Sequence, residues 1–267
     1  MSGSPLLEVM NLEVVYGRSA RAIQGVSFAV SEGAVTSMVG LNGAGKTTTI
    51  RAISGFLPTE NVQVTDGEIM FDGKSLLGMK PYQTASLGIQ VVPERNKVFD
   101  TLTVHENLEL AWTGRRSDVV LSSYRHPDDV YEQFPFLAAK CQETALVLSG
   151  GERQMLAIMA CLLSGPRLLV VDEASLGLAP MMTQRTMTLL RQINESHDLA
   201  VLVVDQDVGT VLSISDHGYV LENGRVVFEG ASDTLLAHED IKEFYLGQQE
   251  SGSYRNVKQY RRTRRWY

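Results

Sequence analysis

Apolar and polar positions alternate along much of the first hundred residues. From Leu6 to Tyr16 the alternation runs around Asn11 and predicts one opening strand or a bent pair, closed by Tyr16-Gly17. Val26-Ser27-Phe28-Ala29-Val30 alternates again, and Ser31-Glu32-Gly33 reads as a turn. Ala34 to Val39 is then an apolar stretch, with Val35, Met38 and Val39 as its strand residues. From Thr47 to Ile53 the pattern changes and opens a helix. Gly55 and Pro58 break it, and Asn61 to Asp66 reads as an exposed turn. Two more strands are expected at Glu68 to Gly73 and Gly88 to Pro93, the second stopped by its proline.

Helical spacing then takes over. Thr103 caps a helix through Val104-His105-Glu106-Asn107-Leu108, with Glu106 completing a capping box. Asp128 to Phe134 and Leu137 to Ala145 carry helical periodicity, interrupted by Pro127 and Pro135, so a small helical subdomain is expected. Ser149 caps a further apolar helix that continues through Leu163. Leu168 to Val171 and Leu199 to Val204 are short apolar runs, far below the ~18 residues of a membrane span. The first is a buried strand ending in Asp172-Glu173.

Three of these junctions carry chemistry. Between the third strand and its helix stands Gly40-Leu41-Asn42-Gly43-Ala44-Gly45-Lys46-Thr47, followed by Thr48. Its spacing, G-x-x-x-x-G-K-T, matches the Walker A phosphate-binding loop. Glycines let successive backbone N–H groups turn onto phosphate oxygens, and the helix adds the positive end of its dipole. Lys46 supplies a charge toward the β- and γ-phosphates, and the Thr47 hydroxyl suits Mg²⁺. Strand-terminal Asp172-Glu173 is Walker B chemistry, with Asp172 holding Mg²⁺ through water and Glu173 orienting or deprotonating the attacking water. The third junction, Leu148-Ser149-Gly150-Gly151-Glu152, leaves N–H groups at a helix start open to an anion; an ordinary glycine-bearing helix start is the alternative. Tyr16 reads either as a strand-end core aromatic or as a ring that stacks on a nucleotide base.

These motifs in this order resemble an ABC-type ATPase domain, from about residue 6 to residue 247. The resemblance implies an α/β fold: a P-loop core with a parallel sheet, an antiparallel β subdomain and a small inserted helical subdomain. It implies an ATPase domain over residues 1–250, with the helical part at about 95–160. It implies ATP and Mg²⁺ as cofactors, and two such domains sandwiching two nucleotides head to tail. In that arrangement Ser149, Gly150, Gly151 and Glu152 complete the site of the opposite subunit, and Tyr16 takes the adenine-stacking position.

Val91-Val92-Pro93-Glu94-Arg95, Val98-Phe99, Leu102 to Leu108, Asp172 to Pro180 and the hairpin at Gly218 to Arg225 narrow the likeness. They are similar to one of the two ATPase subunits of bacterial branched-chain amino-acid importers, the LivF kind; urea, amide and polar amino-acid importers carry related ATPases. The implied partners are a second ATPase subunit, two transmembrane permease subunits and an extracytoplasmic solute-binding protein. The implied location is the cytoplasmic face of the cell membrane, and Val98, Phe99 and Leu102 are candidates to receive a permease helix.

Glu94 stands where the wider family has its Q-loop glutamine, which places it among the catalytic and metal-contacting residues. Gln206 stands at the switch-histidine position and Leu178 at the D-loop aspartate. A glutamine can donate to a γ-phosphate oxygen but cannot carry a proton. The expected partner is therefore a different ATPase bearing a histidine there.

Charge refines the picture. The chain has 24 basic and 31 acidic residues; six of the basic ones lie in residues 251–267, which contain no acid. The remaining 250 residues thus carry a net charge of −13, poor footing for a nucleic-acid binder. No nucleic-acid partner is expected, although a soluble nucleic-acid- or ribosome-associated ABC ATPase is one alternative and an exporter or lipid-transport ATPase the nearer one. The basic tail, with Trp266 and Tyr267, reads as a solvated terminus or as a clamp on an acidic ATPase surface or anionic lipid. Met1 to Pro5 shows no secretion signal, and Cys141 and Cys161 lack metal spacing and are expected to be reduced thiols.

Overall fold

The computed structural model describes residues 5–17, 20–57, 62–95, 97–114 and 124–246; the basic tail lies outside them. Among the described residues, ten strands form two sheets. The first contains β1 (Leu7–Tyr16), β2 (Ala20–Val30), β4 (Val62–Phe71) and β5 (Lys74–Ser75) in the order β2-β1-β4-β5, all antiparallel. The second contains β3 (Val35–Val39), β6 (Ile89–Val92), β7 (Leu168–Asp172), β8 (Ala200–Asp205), β9 (His217–Glu222) and β10 (Arg225–Ala231). Its order is β10-β9-β3-β8-β7-β6, parallel except for the β9–β10 hairpin.

The two-residue period of the central strands builds two cores at once. In β7, Leu168 and Val170 point to the side covered by the antiparallel sheet and by α1 (Lys46–Ser54), alongside Leu7, Val9 and Phe71. Leu169 and Val171 point the other way, into a core shared with helices α3 (Val104–Thr113), α6 (Gly150–Leu163) and α7 (Pro180–His197). β8 splits likewise: Leu202 and Val204 on one side, Val201 and Val203 on the other. This explains why both strands are uniformly apolar in sequence.

The helix starts follow their sequence signals. Thr103 accepts from the Glu106 N–H at 3.1 Å while Glu106 accepts from the Thr103 N–H at 2.7 Å, the reciprocal capping pair. Two expectations are corrected. Pro127 and Pro135 open α4 (Pro127–Gln133) and α5 (Pro135–Ala139) rather than interrupting helices, because proline's fixed φ and missing N–H suit a first turn. Residues 62–66 are not a turn but the start of β4, paired with β1 through Tyr16↔Val62 and Val14↔Val64. The physical reason is burial: Val62 is buried and Val64 packs on the core, which outweighs the polar residues between them. Leu7–Tyr16 is a single strand with an irregularity at Asn11, where φ is +47°.

Candidate functional site

Strand order makes the site. β3 lies beside β8, and β8 separates it from β7, all three parallel. Their C-terminal ends are therefore neighbours, and the segments that follow them meet in one crevice. That crevice is a cleft of about 610 Å³. Its floor is Asn42, Gly43, Gly45, Lys46, Thr47 and Thr48; Glu94, Glu173 and Gln206 line its other side. The sequence-predicted residues of four separate stretches are thus brought together. Ala22, Arg95 and Leu176 also line it: Arg95 and Leu176 lie in stretches that carried the family likeness but were given no site role, and Ala22 belongs to no motif.

The phosphate loop is held by its glycines. A Cβ at Gly40 would sit 2.3 Å from the Leu221 carbonyl oxygen, so the loop can lie against β9 only with glycine there. Gly45 precedes α1 at φ +107° with no side-chain cap, and the first-turn N–H groups stay open to an anion. Ala44 is buried, and its carbonyl accepts from the Gly224 N–H at 2.9 Å, pinning the loop to the β9–β10 turn. Tyr16 ends β1 and its hydroxyl lies 3.1 Å from Thr48 Oγ1, beside the cleft floor.

Lys46 is only 4% exposed. Its Nζ donates to the Gly40 and Leu41 carbonyls at 2.8 and 3.3 Å and lies 3.4 Å from Glu173 Oε1. Glu173 sits at φ +51°, a conformation costly for a non-glycine residue, with its N–H donating to the Val204 carbonyl at 2.7 Å. Burial raises the pKa of both acids. Asp172 is pushed up to about 6 by burial and by the Glu173 charge, against the Thr47 hydrogen bond and Lys46. Glu173 is raised by burial, with Lys46 pulling it back.

Asp172 Oδ1 and Glu173 Oε2 are buried without a hydrogen-bond partner. Orphaned carboxylate oxygens, with Asp172 bonded to the Thr47 hydroxyl, are the hard oxygen donors that Mg²⁺ takes. Among the described residues no cluster of three His, Cys, Asp or Glu side chains surrounds a metal. The two unpartnered carboxylate oxygens fit a hard cation such as Mg²⁺, which is usually held by one or two carboxylates together with water and phosphate.

The raised Asp172 pKa has a consequence for stability. A carboxyl whose folded pKa lies above its unfolded value of 3.8 stabilises the fold at low pH, and that contribution is lost as pH rises through about 6. Asp172→Asn should therefore raise the melting midpoint by about 2–4 °C well above pH 6, with a smaller gain well below it. It should also abolish the Mg²⁺-dependent part of ATP binding. Melting curves at the two pH values and nucleotide titrations with and without Mg²⁺ check this; an equal shift at both contradicts it.

Other predicted residues lie elsewhere. Ser149, Gly150, Gly151 and Glu152 begin α6 and do not line this cleft. Ser149 Oγ accepts from the Glu152 N–H at 3.3 Å, while Glu152 accepts from the Ser149 N–H at 2.8 Å and from Lys140 Nζ at 2.7 Å. Ser149 and Gly150 are exposed. Glu94 is half-buried and pairs with Arg95 at 3.1 Å. Beyond it Lys97 donates to Gln154 of α6. Burial holds its pKa below the usual lysine range, against the pull of Asp172, Asp205, Glu94 and Glu173. No sequence motif marked Lys97 or Asp205; a polar residue ending an all-apolar strand was the one signal for the latter.

A family model described as ABC transporter matches residues 23–176, more than half of the chain. The chain belongs to the ABC transporter family. It is an ATPase of that family. The chain is similar to the high-affinity branched-chain amino acid transport ATP-binding protein BraG of Pseudomonas aeruginosa, with 35% identity over 91% of this chain and 100% of that protein. A probable branched-chain amino acid transport ATP-binding protein LivF of Archaeoglobus fulgidus is 33% identical over 82% of this chain and 89% of its own. The lipopolysaccharide export ATP-binding protein LptB of Escherichia coli is 28% identical over 91% and 97%. Among solved structures, a nucleotide-free ABC cassette superposes with a TM-score of 0.74 at 24% identity, covering 90% of this chain and 98% of that one. A cassette in its ADP conformation gives 0.74 at 24%, covering 92% and 100%. At that identity the likeness concerns the fold. Among the described residues of this ABC ATPase, no helix is long and apolar enough to cross a membrane.

Proposed function

We propose that this ABC ATPase is the motor subunit of a membrane importer for branched-chain amino acids or a related small polar solute such as urea or an amide. The observation that carries the reading is the end-to-end similarity to BraG, which covers that whole protein. A second reading, an exporter ATPase, draws on the similarity to LptB.

The proposed organisation is an ATPase domain over 1–250, with a helical subdomain at about 95–160 and a basic tail at 251–267. Lys46 and the loop N–H groups bind the phosphates of ATP, with Tyr16 stacking on the adenine. Thr47, Asp172 and Glu94 hold Mg²⁺, which neutralises phosphate charge when bound. Glu173 takes the proton of the attacking water and Gln206 donates to the γ-phosphate. Two ATPase subunits close head to tail, so that the exposed Ser149 and Gly150 of one, with Gly151 and Glu152, meet the nucleotide of the other. Loss of the γ-phosphate removes that shared anion and lets the pair open. The partner is a second, different ATPase with a histidine at the switch position. Two permease subunits anchor the pair at the cytoplasmic face, and a solute-binding protein acts through them. Isolation of the native complex with identification of every chain, followed by leucine and urea uptake in proteoliposomes, tests the reading. Export-type partners, or no solute uptake, overturn it.

Phe99 is the proposed permease contact. It is 60% exposed, and buried Asn107 fixes its backbone by accepting from its N–H at 2.8 Å and donating to its carbonyl at 3.1 Å. Leu146 and Val147, 64% and 55% exposed, extend the apolar surface beside Asp100. Val98 instead packs on the core, and Leu102 is half-buried. Phe99→Ser should lower permease co-purification about tenfold, as loss of an interface anchor does, with nucleotide affinity unchanged. Unaltered co-purification would place the contact elsewhere.

A further inference from the structure

Asp205 ends β8 and has no exposed surface. A buried carboxylate persists only where hydrogen bonds replace its hydration. Four do so here. Oδ2 accepts from the Ser175 N–H at 2.8 Å. Oδ1 accepts from the Ser175 hydroxyl at 2.8 Å, the Gln206 N–H at 2.7 Å and the Asp207 N–H at 3.1 Å. These donors belong to two loops. Ser175 follows Glu173 by two residues, and Gln206 opens the loop at the switch position. The strained Glu173 is itself tied to β8 through the Val204 carbonyl.

We propose that Asp205 is a positioning residue for hydrolysis, binding the loop that carries Glu173 to the loop that carries Gln206 so that both face the cleft as one rigid unit. The proposal rests on the roles given to Glu173 and Gln206 above. The link runs on from Ser175. Its carbonyl accepts from the Leu178 N–H at 3.1 Å, and Leu178 Cδ2 lies 3.6 Å from the point a Cβ on Gly150 would occupy. The link from the Gln206 loop thus runs, inside one subunit, toward the exposed start of α6. Closely packed, fully bonded groups move together rather than deform.

Asp205→Asn keeps the shape and tests the link. With its one carbonyl oxygen kept toward the three donors at Oδ1, its amide N–H is set against the Ser175 N–H, donor to donor. In the full-length protein purified with its native partners, kcat should fall about tenfold while KM and nucleotide affinity stay within about twofold. Ser175→Ala removes a single donor and should lower kcat about threefold. The double variant should be no slower than Asp205→Asn alone, because both cut the same link. Multiplying losses, a raised KM at unchanged kcat, or wild-type kcat in both variants would overturn the proposal. If Asp205→Asn fails to fold, Ser175→Ala alone decides it by the same kcat-against-KM split. Glu173→Gln measured in parallel separates the failures. Hydrolysis at the wild-type rate in that variant removes the underlying assignment, whereas an inactive Glu173→Gln beside a fully active Asp205→Asn removes the coupling alone.

Discussion

Glu173→Gln should leave nucleotide binding intact and lower kcat by at least about a hundredfold, the span that a positioned general base contributes. The expectation follows from where the carboxylate is held. Its backbone is fixed at φ +51° by the Val204 contact, and Oε2 is buried with no protein partner, free for a water. Glutamine fills the same space and accepts a hydrogen bond, but it cannot take a proton at neutral pH. The substitution also removes the negative charge 3.4 Å from Lys46 Nζ. Repulsion of the incoming triphosphate falls, and the amine is released toward it, so ATP affinity should stay equal or rise. Single-turnover hydrolysis and a fluorescent-nucleotide titration measure both quantities. Substantial residual turnover would mean that another group takes the proton. Weakened ATP binding would mean that the carboxylate organises the empty loop more than the chemistry.

Lys46→Met should have the largest effect on binding, weakening ATP affinity about a hundredfold, which is roughly one strong charge-assisted contact. Methionine keeps an unbranched buried side chain in a position only 4% exposed, so packing survives while the charge is lost. Two other things change with it. The Gly40 and Leu41 carbonyls lose their donor, which loosens the loop before nucleotide arrives. Glu173, already raised by burial and pulled back by Lys46, loses that pull and rises further toward its neutral form. Binding isotherms for ATP and ADP check the prediction. The loss should be greater for ATP if the amine reaches the γ-phosphate, and equal for both if it serves only the loop.

Local patterns gave the chemistry away early because each is self-contained. A glycine loop ending in Lys46-Thr47, an apolar strand ending in Asp172-Glu173 and a Ser149–Glu152 capping box are each written within a few residues. Their physical causes act at that range: backbone freedom at glycine, two-faced burial of a strand, reciprocal bonding at a helix start. The same range explains the misreadings. Val62 to Asp66 alternates only weakly, and its pairing with β1 depends on a strand some fifty residues earlier. Pro127 and Pro135 carry opposite meanings at a helix start and in a helix middle, and which one holds depends on where the chain is packed.

What the sequence determined by itself was the family, the phosphate loop, the acidic strand end and the glutamine at position 206. Tertiary structure alone decided that β8 lies between β3 and β7. That order cannot be read from periodicity, because buried parallel strands look alike and their neighbours are chosen by long-range packing. It is what sets Gln206 beside Glu173, brings Ala22 and Arg95 to the cleft wall, and seals Asp205 from water with four donors around it. In the linear chain Asp205 is one acid among 31; only burial at the meeting point of two loops makes it a constraint on both.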